Sequence, residues 1–149
     1  MLEQMGLSEA KDYIKALHAL QDDPYRWPDF LTGLPDRTAV LRKIHEVYGK
    51  RRGQAVSLVR LVNVEPYLIK YGSTRHVEII QWAAAILRTT AAHRPGAFVG
   101  VLGTHEFALI CKAEDADALL KKANQLFRKK SRSFYGPADL KAQALFSLT

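Results

Sequence analysis

The side chains that most often carry out chemistry are present in this sequence, but they do not form a known catalytic pattern. The five histidines show no metal-ligand spacing with one another or with Cys111, and there is no Ser-His-Asp arrangement or P-loop. These histidines are His18, His45, His76, His93 and His105. Cys111 lies in the apolar run F-A-L-I-C, which favours a buried strand residue over a nucleophile. The sequence therefore predicts no metal centre and no covalent catalysis.

Two short motifs are more informative than any single reactive residue. Residues 31–37 read L-T-G-L-P-D-R, in which Gly33 allows a turn and Pro35 suits the start of a helix. About seventy residues later the chain reads G-T-H-E-F between two apolar runs, which predicts a hairpin with a tight turn at Gly103-Thr104. The members of this second motif are Gly103, Thr104, His105, Glu106 and Phe107.

Together these motifs resemble the opening signature and the signature hairpin of the GGDEF family, the diguanylate cyclases that join two GTP molecules into cyclic di-GMP. The resemblance covers roughly residues 29–149 and is strengthened by Tyr71-Gly72, which stands where the family has the end of an N-D-x-Y-G-H segment. It implies the family's cyclase fold, and it also identifies which functional positions have changed.

The positions that would hold magnesium have lost their carboxylates. In active members an Asp-x-Asp at the end of the first strand and the third hairpin residue bind the ion, and here these positions are Arg60, Val62 and His105. Magnesium prefers oxygen ligands, and an arginine would add a like charge to the site. Glu106 remains, and we expect it to pair with a cation such as Arg60. Because we expect Arg60 to be buried in an apolar strand, Glu106 or Glu65 should neutralise it.

The positions that would recognise guanine and phosphate have also changed. The family's base-binding asparagine and aspartate correspond to Leu68 and Val77, which offer no hydrogen bond. Glu65 replaces a lysine, and Thr104 replaces the second hairpin glycine. The resemblance therefore implies that cyclase activity is lost, and we predict no cofactor and no metal.

A nucleotide receptor without turnover is the alternative function. The family's product-binding R-x-x-D corresponds here to Arg94-Pro95-Gly96-Ala97, which keeps the arginine and loses the aspartate. Arginine can bind a phosphate with two hydrogen bonds. The candidate phosphate contacts for cyclic di-GMP or another nucleotide are Arg60, Lys70 and Arg94.

The elements that must position these residues follow from apolar periodicity. Helices are predicted at roughly residues 8–21, from a start near Pro35, at about 74–89 and around 116–127, and strands at 55–62, 97–102, 106–111 and 140–148. The strand at 55–62 is expected to be buried on both faces. The second helix should face inward through Val40, Leu41, Ile44, Val47 and Tyr48. We therefore predict an α/β (α+β) fold, a ferredoxin-like nucleotide-cyclase palm with a central, mostly antiparallel sheet flanked by helices.

Composition restricts the protein's class. The chain has 149 residues and a net charge of +7, enough for one core, and it lacks an apolar stretch long enough to span a membrane. Its basic clusters lie at predicted helix ends without interleaved aromatic residues, which favours a solvated surface over specific nucleic-acid binding. No export signal is visible, so we expect a cytoplasmic protein.

We predict an N-terminal helix in residues 1–23 and a GGDEF-like domain in residues 24–149. The apolar stripe of the helix is a candidate partner surface, formed by Leu7, Ala10, Ile14 and Leu17. The family continues with a further helix beyond the point where this chain ends, and the stripe could cover the face that this helix would otherwise cover. Alternatively, the stripe could form a short dimeric coiled coil. We favour the covering role, or a surface that docks a partner, over autonomous dimerisation. The sequence as a whole predicts a non-catalytic module that binds a partner protein in bacterial signalling or cell organisation.

Overall fold

The computed structural model describes residues 2–19, 31–50, 53–62 and 69–134. Helices and strands alternate through most of this part of the chain. In order they are α1 (Leu2–Ala19), α2 (Arg37–Lys50), β1 (Gln54–Arg60), α3 (Ser73–Ala91), β2 (Phe98–Gly103), β3 (Glu106–Lys112) and α4 (Ala113–Ser131), followed by a 3-10 turn (Arg132–Phe134). The predicted strand at residues 140–148 lies outside the described residues.

The three described strands form an antiparallel sheet in the order β1-β3-β2. The register pairs Arg60 with Glu106 and Gly103 with Glu106, so the strand ends meet at the hairpin. The predicted turn at Gly103-Thr104 is off by one residue. Gly103 is the last residue of β2, and the turn is made by Thr104 and His105. The mixed architecture of sheet and flanking helices confirms the predicted fold class.

The prediction that β1 is buried on both faces is wrong. Val56 and Leu58 are 49% and 52% exposed, whereas Val59, on the face of β1 that meets the helical layer, is 1% exposed. Helix α2 packs against β2 and leaves this face of β1 uncovered by the described residues. An apolar run of valine and leucine does not distinguish a strand that is buried on both faces from a strand that is buried on one face.

Helix α2 is also less buried than its periodicity suggested. Val40 is fully buried, as predicted, but Leu41 is half exposed and Tyr48 is 91% exposed. The helix begins at Arg37, close to the predicted start near Pro35, and Asp36 acts as its N-cap by accepting a hydrogen bond from the Ala39 N–H at 3.0 Å.

The core lies between the sheet and a helical layer built around α3. Phe107 of β3, Phe127 of α4 and Ile79 of α3 are completely buried, and Cys111 is buried in β3 as predicted. Burial raises the pKa of the Cys111 thiol, with a smaller contribution from the negative charge of Asp115.

Helix α1 covers the outer side of α3 and α4. Of its predicted stripe, Ala10 and Leu17 are fully inaccessible, Ile14 is 9% exposed and Leu7 is partly buried against the same core. The stripe is therefore not an exposed partner surface, which corrects that assignment. Helix α1 packs against α3 and α4, and Ala10 and Ile14 of the stripe belong to the core cluster.

No helix in the described ranges has both the length and the apolar character needed to cross a bilayer.

Candidate functional site

The two motifs found in the sequence are neighbours in the structure. The Val101 N–H donates a hydrogen bond to the Pro35 carbonyl oxygen at 2.9 Å. The Arg37 guanidinium reaches the Leu102 carbonyl oxygen at 3.5 Å. The segment L-T-G-L-P-D-R is thus attached along the strand that leads into the hairpin.

Local hydrogen bonds explain why the first motif adopts this path. Gly33 has φ of 72°, a left-handed conformation that favours glycine, and it sits between Thr32 and Leu34. The Thr32 hydroxyl accepts a hydrogen bond from the Leu34 N–H at 3.3 Å. The Tyr13 hydroxyl of α1 donates to the Thr32 carbonyl oxygen at 2.7 Å, so the first helix also holds the motif in place.

A cavity of about 370 Å³ opens between the two motifs. Its polar wall comes from Thr32, Asp36, Arg37 and Thr104, and its apolar wall includes Phe107. Thr32 and Asp36 already take part in hydrogen bonds that shape the motif. Arg37, which is exposed, is the cation that this cavity offers to an anionic group.

At the end of the sheet, Arg60 and Glu106 form the predicted ion pair. Arg60 Nη2 lies 3.7 Å from Glu106 Oε1, and the two residues are direct cross-strand partners. The expected burial of Arg60 is wrong, since its side chain is 55% exposed and that of Glu106 is 41% exposed. The pair is screened by water and contributes at most about 1 kcal/mol to stability. In this pair, the Glu106 carboxylate faces the Arg60 guanidinium and is already engaged by a cation.

Beside this ion pair, two histidines contact each other. His76 Nε2 lies 2.7 Å from His105 Nε2, and the rings meet edge to face with centroids 4.9 Å apart. His105 is in the hairpin turn, and His76 is in the first turn of α3. The backbone N–H of His76 donates a hydrogen bond to the Gly72 carbonyl oxygen at 3.2 Å. Burial lowers the pKa of His76, and the adjacent His105 lowers it further.

A hydrogen bond between two ring nitrogens requires one donor and one acceptor. The pair therefore holds no more than one proton between the two facing atoms, and double protonation would break it. The pair was not predicted from the sequence, because the two residues are 29 positions apart. The available signal was the position of His76 four residues after Gly72, close to the Tyr71-Gly72 segment that the resemblance had already singled out.

These residues do not fit a magnesium ion. Arg60, Val62 and His105 offer no carboxylate, and the Glu106 carboxylate is paired with Arg60. Within the described ranges, no group of three or more His, Cys, Asp or Glu residues is arranged to hold a metal ion.

The three candidate phosphate contacts do not form one cluster. Lys70 precedes α3, with its ammonium 5.6 Å from the centroid of the Tyr71 ring. Arg94 follows the opposite end of α3 and lies 3.8 Å from Asp115. A helix of 19 residues is about 28 Å long, so these two cations serve separate surfaces.

Of the predicted base-binding positions, Val77 is partly buried near the start of α3 and has no hydrogen-bonding side chain. Leu68 and Glu65 lie outside the described residues. At the hairpin position Thr104, the side chain is exposed and borders the cavity between the motifs.

Comparison with solved structures identifies the fold. The chain is similar to the GGDEF domain of DgcB from Caulobacter crescentus in complex with c-di-GMP, with a TM-score of 0.60 and 18% identity over 81% of this chain and 71% of that chain. It is also similar to a diguanylate cyclase/phosphodiesterase from Caldicellulosiruptor saccharolyticus, with a TM-score of 0.60 and 20% identity over 68% of this chain and 62% of that chain.

A third similar structure is the diguanylate cyclase SiaD from Pseudomonas aeruginosa in complex with its activator SiaC. Its TM-score is 0.58, at 22% identity over 79% of this chain, and the chain spans about half of that structure's length (47%). No protein-family model matches the sequence. Comparison with curated proteins also gives no match. The chain has the nucleotide-cyclase palm fold of GGDEF domains, as the two motifs predicted.

Proposed function

We propose that this chain is a non-catalytic GGDEF-like domain that binds a partner protein as a cytoplasmic regulatory module in bacterial signalling or cell organisation. The observation that carries the proposal is the Arg60–Glu106 ion pair. A carboxylate that faces a guanidinium, beside two contacting imidazoles, is a poor ligand for a hard divalent cation. Metal-assisted nucleotidyl transfer would need several oxygen ligands at this position.

Two features support a role in binding proteins. GGDEF domains can be controlled through a bound protein, as the complex of SiaD with its activator illustrates for that enzyme. In this chain, Val56 and Leu58 expose large apolar side chains two residues apart on one face of β1. Exposed apolar side chains of this size are typical of interaction surfaces when they lie close together.

The first test is a cyclase assay. We expect purified protein with GTP and either magnesium or manganese to form no cyclic di-GMP above an enzyme-free blank, while an active diguanylate cyclase in the same buffer does. The Glu106→Gln variant should give the same result as the unsubstituted chain. Product that forms with the unsubstituted chain and is lost in Glu106→Gln would overturn the proposal.

The partner surface requires a separate experiment. Capture from native cells with the Leu58→Glu variant should lose a protein that the unsubstituted chain retains, because a charge replaces an exposed apolar contact. Gln125→Glu on the exposed side of α4 is a control that adds the same charge elsewhere. Equal capture by all three proteins would exclude β1 as the binding surface.

The cavity between the motifs supports a second candidate, a receptor for cyclic di-GMP or another nucleotide. Its volume of about 370 Å³ and the exposed Arg37 suit an anionic ligand of moderate size. A ligand at a hundred times its dissociation constant stabilises a fold by about 2.7 kcal/mol. Chemical unfolding with GTP or cyclic di-GMP therefore distinguishes the receptor from a module that binds only protein.

A further inference from the structure

A second cavity, separate from the hairpin site, opens between α1, α3 and α4. Its volume is about 390 Å³, within the range of small-molecule sites. It lies near the end of α3 opposite His76, so the length of that helix separates it from the hairpin. Nothing in the proposed function depends on it.

The inner wall of the cavity is aliphatic. Leu119 and Leu126 of α4 are 5% and 1% exposed, and Gly6 of α1 stands beside them. A Cβ atom at Gly6 would lie 2.8 Å from Leu126 Cδ1, so the glycine permits α1 to approach α4 this closely. Thr90 is also part of the wall, and its buried hydroxyl oxygen has no hydrogen-bond partner within the described part of the chain.

The rim of the cavity is charged, and its charges are not all balanced. Glu9 Oε2 lies 2.9 Å from His93 Nε2, and Arg94 is paired with Asp115. Lys122, on the same rim, forms no ion pair with any residue in the described ranges. The rim therefore presents a cation that is available to a ligand.

We propose that this cavity binds an amphipathic monocarboxylate, a medium-length alkyl chain with a carboxylate at one end. The alkyl chain would lie against Leu119 and Leu126. There its own apolar surface would be removed from water, and this burial provides the favourable free energy. The carboxylate would pair with Lys122 at the rim. A nucleobase fits the inner part of the site poorly, because Leu119 and Leu126 offer no hydrogen bond and the Thr90 hydroxyl could satisfy only one of the several polar atoms on its edge.

Decanoate is the probe, with decan-1-ol as the uncharged comparison. Titration calorimetry should show decanoate binding, and Lys122→Gln should weaken it about tenfold, since a charge-assisted hydrogen bond contributes about 1.5 kcal/mol or more. The matched control is Lys121→Gln, which removes the same charge from the neighbouring exposed residue outside the cavity. It should leave the dissociation constant unchanged.

The location of the ligand is tested independently. The methyl NMR signals of Leu119 and Leu126 should shift with decanoate, and Ala118→Phe should block binding by filling the mouth of the cavity. If Ala118→Phe fails to fold, the methyl shifts and Lys122→Gln decide the question. The proposal is overturned if decanoate does not bind, if decan-1-ol binds equally well, if Lys122→Gln and Lys121→Gln behave alike, or if neither leucine shifts.

Discussion

The contact between His76 and His105 makes the candidate site sensitive to pH. Their facing nitrogens are 2.7 Å apart and can share one proton. The pKa of His76 is lowered from its ordinary value of 6.5, first by burial and then by His105. The folded state therefore favours the neutral ring.

The lowered pKa of His76 predicts how the free energy of unfolding depends on pH. Because the folded-state pKa of His76 lies below 6.5, the unfolded chain binds the proton more readily as the pH falls. We expect the His76 contribution to the free energy of unfolding to be constant above pH 6.5 and to decrease as the pH falls below it. His76→Gln should reduce this decrease, as measured by urea unfolding across the pH range. His45→Gln, on an exposed position of α2, is the control that leaves the pair intact.

NMR titration of the His76 ring tests this prediction directly. A midpoint at or above 6.5 would show that the ring is not held neutral by its surroundings. In His105→Gln the midpoint should rise toward 6.5 and remain below it, because burial, the larger cause, persists.

At the scale of elements, the position of α2 depends on the absence of a side chain at Gly100 in β2. A Cβ atom there would collide with Val40 Cγ2 and would approach the Pro35 carbonyl oxygen to 3.1 Å. The backbone of Pro35 is itself hydrogen-bonded to Val101. The close approach of α2 therefore holds the first motif beside the hairpin.

Gly100→Ala should lower the free energy of unfolding by about 1–3 kcal/mol, the usual cost of overpacking a core. Val40→Ala combined with Gly100→Ala should cost less than the sum of the single changes, because the shorter side chain removes the collision. Gly103→Ala is the control, since its Cβ atom would lie 3.9 Å from Glu106 Cβ, an ordinary contact. Additive effects in the double variant would contradict the predicted collision.

At the scale of the whole molecule, α1 is joined to the rest of the fold by both packing and polar contacts. Its apolar stripe is buried on α3 and α4, Tyr13 bonds to the first motif, and Glu9 contacts His93. The helix thus touches the surroundings of both cavities. Among the described residues it behaves as part of the core and not as a separate dimerisation segment.

Leu17→Ala should therefore lower the free energy of unfolding by about 2–5 kcal/mol, since Leu17 is fully buried. Lys15→Ala, two residues away and exposed, should change it by less than about 0.5 kcal/mol. Both variants are compared by chemical unfolding and on a sizing column. A Leu17→Ala variant with unchanged stability that converts from dimer to monomer would support the coiled-coil alternative instead.

The sequence alone determined the fold through features that are local in the chain. The motif L-T-G-L-P-D-R, the hairpin around Gly103 and the amphipathic pattern of α4 each depend on turns or on a helical repeat. The pairing of Arg60 with Glu106 or Glu65 was also predicted, on the expectation that Arg60 is buried; the pair with Glu106 forms, but Arg60 is 55% exposed.

Only the tertiary structure decided which surfaces are covered and which distant residues meet. The exposure of Val56 and Leu58 depends on where α2 packs, and the burial of Ala10 and Ile14 depends on the packing of α1 against α3 and α4. The His76–His105 contact and the cavity beside Lys122 join residues from separate elements. Periodicity specifies which face of an element is apolar, but burial is set by the neighbours that pack against that face.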